Sequence, residues 1–227
     1  MGVPSGAHLI VATHNEHKLG EIRSILLPQL KTFTGNDRCV ECNEEAIISA
    51  KGLNVAEPVE DGITFTDNAF IKARALCHAT GLPAVADDSG LAVDILGGAP
   101  GIFSARWCGH HGDDQANLQL LLDQLHDVHD PHRGASFICA AVVVCPDGTE
   151  KSVLAQMSGR LINEPRGSNG FGYDPIFIAD GQTRTNAELS AKEKHALSHR
   201  GKAFRILAPF VAAALGYQVT TIIADKK

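Results

Sequence analysis

The feature that most constrains this fold is an unbroken apolar run, Ser136–Cys145, closed by Pro146-Asp147-Gly148 and answered by a second run, Lys151–Met157. A Pro-Asp-Gly turn between two apolar segments is a hairpin signal, so the chain must contain an antiparallel strand pair. A further apolar run, His8–Thr13 (HLIVAT), is rich in branched residues and reads as a buried strand. It leads through a polar turn, Thr13-His14-Asn15-Glu16-His17-Lys18, into an amphipathic helix that Pro28 is expected to stop near Leu27. Thr64-Phe65-Thr66-Asp67 matches a capping box, and the helix that follows should end at Gly81. Asp113–Leu125 is helical by period, and Ala191–Leu215 reads as a long helix broken near Ser198. Leu82–Ala86 reads as a short strand before a turn at Asp87-Asp88-Ser89-Gly90. Gly170–Ile178 contains another strand, and Val219–Ile223 reads as a last one. Residues 31–60 give the weakest pattern, with one apolar stretch around Ala46–Ala50. Helices mixed with strands and at least one hairpin imply an α/β or α+β class with a mixed sheet. At 227 residues the chain reads as one domain with room for two lobes.

Charge and cysteine usage exclude several functions. Asp and Glu outnumber Lys and Arg by 26 to 20, and no basic stripe is visible, which disfavours a nucleic-acid binder. No apolar stretch approaches the ~20 residues of a membrane span. The start of the chain lacks the pattern of a signal peptide, so a cytoplasmic protein is expected. Cys39 and Cys42 form a CxxC, but no second CxxC or nearby HxxxH completes a zinc set, and the thiols read as reduced. Cys139, inside an apolar run, reads as a small core residue.

Five segments carry potential chemistry. Asp87-Asp88-Ser89-Gly90 places two carboxylates at the end of a buried strand, where like charges need compensation. Magnesium could supply it, because it accepts carboxylate and phosphate oxygens together; a polar turn with an Asp cap is the equal alternative. Thr13–Lys18 joins a strand to a helix start, where free backbone N–H groups, polar side chains and Lys18 suit a phosphate, though an ordinary N-cap would look the same. Asn68 and Lys72 share one helix face, and Lys72 either leans toward an anion or is solvated. In Phe171-Gly172-Tyr173-Asp174 the glycine frees the ring of Phe171 to stack on a base, and Asp174 could accept from ring N–H groups; a core aromatic is the alternative. Lys194, Ser198, His199 and Arg200 gather donors at a helix, or form an exposed basic helix end.

Taken together and in order, these segments resemble the inosine triphosphate pyrophosphatase family. The stretch that carries most of the resemblance is Thr64–Trp107 (TFTDNAFIKARALCHATGLPAVADDSGLAVDILGGAPGIFSARW), followed by Phe171–Phe177 (FGYDPIF) and Glu193–Ala203 (EKHALSHRGKA). The resemblance implies an elongated mixed α/β fold whose two lobes enclose a deep central cleft, and a homodimer. It implies hydrolysis of ITP, dITP and XTP to the monophosphate and pyrophosphate with magnesium. It places the triphosphate on Thr13, His14, Asn15, Glu16, His17, Lys18 and Lys72, and makes Asp88 the proton acceptor. Asp88 and Glu60 would hold the metal, Ser89 would touch substrate, and Phe171, Gly172, Tyr173, Asp174, Lys194, His199 and Arg200 would hold the base and adjoining phosphates. Two departures stand out. His14 occupies a position that is usually small in the family, and the segment between Lys31 and Glu57 is longer than usual.

Overall fold

The computed structural model describes residues 2–14, 16–32, 44–53 and 55–216. Six strands form one mixed sheet in the order β2-β1-β3-β4-β5-β6. They are β1 (Leu9–Val11), β2 (Ile47–Ser49), β3 (Ala84–Val93), β4 (Gly134–Val144), β5 (Glu150–Leu161) and β6 (Phe177–Ala179). β1 runs parallel to both β2 and β3, and the pairings from β3 to β6 are antiparallel. The expected hairpin is β4–β5, paired from Gly134↔Arg160 to Val144↔Glu150, with Gly148 at φ 88 in the turn.

Among the described residues five α-helices flank the sheet: α1 (Glu16–Thr32), α2 (Phe65–Thr80), α3 (Asp114–Gln124), α4 (Ala191–Leu197) and α5 (His199–Ala214). Side chains alternate along a strand, so each long strand serves two cores at once. Val85, Cys139, Ala141 and Val143 pack with Ile22 and Leu26 of α1 and with Phe204, Leu207 and Val211 of α5. Ala84, Ala86, Ala140, Val142 and Val144 face the other way, against Ala69, Ala73, Leu76 and Cys77 of α2. Helices on both faces explain why the Ser136–Cys145 run is apolar without alternation. The far halves of β3 and β4 contribute Leu91, Val93, Ala135 and Phe137 to a third cluster with Leu118 and Leu121 of α3. Cys139 is fully buried, and burial pushes its thiol up to about 12, as suits an inert core residue.

The helix ends follow their local chemistry. Thr64 accepts from the Asp67 amide while the Asp67 carboxylate accepts from the Thr64 amide at 3.0 Å, and Gly81 closes α2 at φ 70. Ser198 ends α4 and caps α5, which is the expected break.

Two expectations fail for tertiary reasons. α1 does not stop near Leu27; it continues through Pro28 to Thr32. Burial of Leu26 and Leu30, each worth about 1.5–3 kcal/mol, offsets the roughly 3 kcal/mol that an interior proline costs. Residues 87–90 are not a turn, because β3 runs straight through them. Gly90 serves close packing instead: a Cβ there would lie 2.5 Å from both the Gly101 carbonyl oxygen and Ser104 Oγ. β2 arises from the weakly patterned 31–60 region. Val219–Ile223, Cys39 and Cys42 lie outside the described residues. Among the described residues no helix is long and apolar enough to cross a membrane.

Candidate active site

β1 stops opposite Val85, while β3 continues to Val93. Residues 87–91 of β3 therefore have a strand neighbour, β4, on one side only. The notch beyond β1 is a cavity of about 420 Å³, walled by the β1–α1 turn, the middle of β3, Lys72 of α2, the 171–174 loop and the start of α5. Its size suits a small-molecule ligand, and crevices past the carboxyl ends of parallel strands are common ligand sites.

The strand pleat sends Asp87 and Asp88 to opposite faces. Asp87 points toward α1 and α5. Its carboxylate meets Lys18 Nζ at 3.2 Å, Arg200 Nε at 3.1 Å and the Ser89 hydroxyl at 2.9 Å. Arg200 also donates from Nη1 to Glu21 at 2.7 Å, and His195 lies 3.3 Å from the same carboxylate. Burial alone would raise the Asp87 carboxyl, but Arg200, then Lys18 and Lys72, hold it far below the usual range. Asp87 does not line the cavity. The compensation that two adjacent carboxylates call for thus comes, for Asp87, from protein cations.

Asp88 does line the cavity. Lys72 Nζ lies 3.6 Å from Asp88 and 3.2 Å from Glu60, and Asn68 Nδ2 donates to Asp88 at 3.2 Å. Burial pushes the Asp88 carboxyl up, against the pull of Lys72 and with the push of Glu60. Burial works to discharge Lys72, yet Asp88, Asp87 and Glu60 together raise its ammonium above the ordinary lysine value. Lys72 is therefore charged and committed to the two carboxylates rather than solvated.

The donor set fits a hard divalent cation of the magnesium type. Glu60 and Asp88 offer two carboxylates at one wall of a polar cavity. No group of three or more His, Cys, Asp or Glu side chains among the described residues is arranged for a metal. Magnesium typically takes one or two carboxylates and fills its remaining positions with water and substrate phosphate. A zinc-type site, which needs three or four protein ligands, does not fit.

At the β1–α1 turn, Thr13, His14 and Lys18 line the cavity. His14 Nδ1 lies 2.8 Å from Glu57 Oε1, which ties it to another residue of the cavity lining. Glu16 is not part of the lining and pairs with Lys51 at 3.4 Å. Asn15 and the side chain of His17 lie outside the described residues.

The other end of the cavity is built by 170–174 and 194–200. Phe171 is 58% exposed and stands clear of the core, with Lys194 Nζ 4.8 Å from its ring centroid. Asp174 is buried, and both of its oxygens are in use. Oδ2 accepts from the Phe171 amide at 2.9 Å and from Lys194 at 2.5 Å, and Oδ1 accepts from Asn186 at 3.1 Å. It thus holds the loop and aims Lys194. Gly170, at φ 76, sits where a Cβ would lie 2.2 Å from Asp174 Oδ2. The Gly172 amide donates to Asp114 at 3.0 Å. Tyr173 belongs to the core, its hydroxyl donating to the Ser104 carbonyl at 2.9 Å. His199 stacks on Phe137 with 5.1 Å between centroids and 9° between planes, and its Nδ1 is buried without a hydrogen-bond partner. Glu21, Glu57 and Asp114 also line the cavity, and none carries a local sequence signal for a role there.

Burial, reinforced by Arg200 and Lys194, holds the His199 imidazole well below its usual range, so it is neutral in the folded protein. Unfolded, it gains a proton below about pH 6.5. The stability tied to neutral His199 is complete above that pH and is lost as pH falls through it. Urea unfolding at pH 7.5 and 5.5 should show His199→Gln losing about 1 kcal/mol less than the unmodified protein over that interval. Equal losses would refute neutral burial.

Residues 9–210 match the model of the Ham1 family. A dITP/XTP pyrophosphatase of Streptomyces avermitilis is 54% identical over 209 residues, covering 92% of this chain and 98% of its own. One from Corynebacterium efficiens is 49% identical over 214 residues, covering 92% and 99%. Among solved structures, a nucleoside-triphosphatase/dITP/XTP pyrophosphatase from Mycobacterium abscessus is similar at 45% identity and TM-score 0.70, covering 89% of this chain and 99% of its own. A HAM1 protein from Coxiella burnetii is similar at 37% identity and TM-score 0.78, covering 91% and 99%.

Proposed function

Since the chain belongs to the Ham1 family, we propose that it is a pyrophosphatase of non-standard purine nucleoside triphosphates, taking ITP, dITP and XTP to the monophosphate and pyrophosphate. The observation that carries the reading is one cavity holding Asp88, Glu60 and Lys72 at one wall and Phe171, Lys194 and His199 at another. Carboxylates with a shared lysine suit a metal-bound phosphoanhydride, and an exposed ring and a neutral imidazole lining the same cavity suit a purine.

In this reading water attacks the α-phosphorus, the bond to the bridging oxygen breaks, and pyrophosphate leaves with the electron pair. Asp88 accepts the water proton. Lys18 and Lys72 face the charge that moves onto the leaving group. A magnesium ion held by Asp88 and Glu60 would add positive charge at the phosphate oxygens. The base stacks on Phe171, and His199 donates to the 6-keto oxygen from Nε2, since Nδ1 is buried. Arg200 lines the cavity, but its Nε and Nη1 are held by Asp87 and Glu21. Adenine, with a 6-amino donor and a bare N1, leaves this edge mismatched.

Pyrophosphate release should be measured for ITP, XTP, GTP, ATP and dTTP, with magnesium and with EDTA. ITP and XTP should exceed ATP by roughly 10⁴-fold in kcat/KM, and EDTA should abolish release. Equal turnover of ATP and ITP would discard the purine-edge account, and no release at all would discard the enzyme. The same reading takes residues 1–227 as one two-lobed domain, working as a cytoplasmic homodimer, which sedimentation velocity would test.

A further inference from the structure

We propose that Asn68 is a positioning residue that sets Asp88 and Glu60 in register on either side of Lys72. The inference rests on the pyrophosphatase reading for its kinetic consequence, and on geometry for its placement. Asn68 is fully buried on α2, one turn before Lys72, and does not line the cavity. Its side chain bridges two other elements. Nδ2 donates to Asp88 Oδ2 on β3 at 3.2 Å, and Oδ1 accepts from the Gly62 amide at 2.9 Å. The reverse amide orientation would put oxygen against carboxylate and NH₂ against N–H, so only one orientation satisfies both partners.

The loop side of this clamp needs glycine. A Cβ on Gly62 would lie 2.6 Å from Asp67 Cβ, 2.7 Å from Asn68 Oδ1 and 2.9 Å from Asn68 N. The backbone around Gly62 is seated directly on the first turn of α2. Two residues upstream, Glu60 reaches Lys72 at 3.2 Å. One amide thus fixes the loop bearing Glu60 and the strand residue Asp88 to the helix bearing Lys72. A carboxylate at position 68 would repel Asp88, an apolar side chain would abandon both partners, and a glutamine would be too long.

Two variants of the full chain separate this from a merely structural role: Asn68→Leu, which removes both hydrogen bonds, and Gly62→Ala, which displaces the loop with Asn68 intact. Each is read by melting temperature, by kcat and KM for ITP, and by Mn²⁺ binding to the nucleotide-free protein from the free-ion EPR signal. Both should lower kcat by about 10- to 100-fold and weaken Mn²⁺ binding by about tenfold, with KM changed by less than about threefold. Variants that melt earlier yet keep the original kcat and Mn²⁺ affinity would overturn the proposal. If Asn68→Leu does not fold, Gly62→Ala decides alone. Absence of pyrophosphate release from the unmodified protein would sink the pyrophosphatase reading instead, and the Mn²⁺ measurement would still test the placement.

Discussion

Asp88→Asn should cut pyrophosphate release from ITP by on the order of 10³-fold or more while leaving the protein folded. The carboxylate sits in the cavity wall, against Lys72 and Asn68. The amide is nearly the same shape but cannot take a proton from water. Burial already disfavours charge at this position, so neutralising it costs the fold little. Lys72 keeps Glu60 as a partner at 3.2 Å, so no cation is stranded. Equilibrium dialysis should find ITP still bound, because Lys18, Phe171 and Lys194 are untouched. A near-normal rate would remove Asp88 from the chemistry.

The neighbouring substitution should have the opposite signature. Asp87→Asn should cost about 3–5 kcal/mol of stability in urea unfolding, the usual result of breaking a buried ion pair from one side. Arg200 is 4% exposed and keeps only Glu21 among its carboxylate partners, while Lys18 loses its contact with Asp87. The sign with pH follows from the depressed carboxyl. The stability Asp87 contributes is complete above its unfolded value of about 3.9, and is lost as pH falls through that value toward the far lower folded one. The acid limb of unfolding should therefore flatten in Asp87→Asn. A stability loss under about 0.5 kcal/mol would mean that the Lys18–Asp87–Arg200–Glu21 network does not stabilise the fold.

Much of the architecture is legible before any coordinates. Thr64 with Asp67, Gly81, Ser198 and the Pro-Asp-Gly turn each satisfy or interrupt backbone hydrogen bonds within a few residues of themselves. Such signals need no distant partner, and the elements they bound appear where expected. The site is legible in part for the same reason. Thr13, His14, Lys18, Lys72, Asp88, Phe171, Lys194 and His199 all reach one cavity, although they come from five separate segments. Residues whose partners are remote are illegible. Nothing beside Glu21 announces Arg200, and nothing beside Asp114 announces Gly172.

By itself the sequence determined the mixed sheet, the central hairpin and the helix caps, because periodicity and capping are local, and its resemblance to a known family pointed to part of the set of residues that meet at the cavity. Only the tertiary structure decided where each of the paired aspartates points and which cations it meets. Asp, Ser and Gly disfavour strands and favour turns when read alone. In the fold, β4 pairs residues 87–90 on one side, and Gly90 admits the backbone of Gly101. The pleat then gives Asp87 to Lys18 and Arg200, and Asp88 to Lys72 and Asn68. Those cations lie far along the chain, and electrostatic compensation acts through space, so no local window could have separated the carboxylate buried among protein cations from the one that lines the cavity.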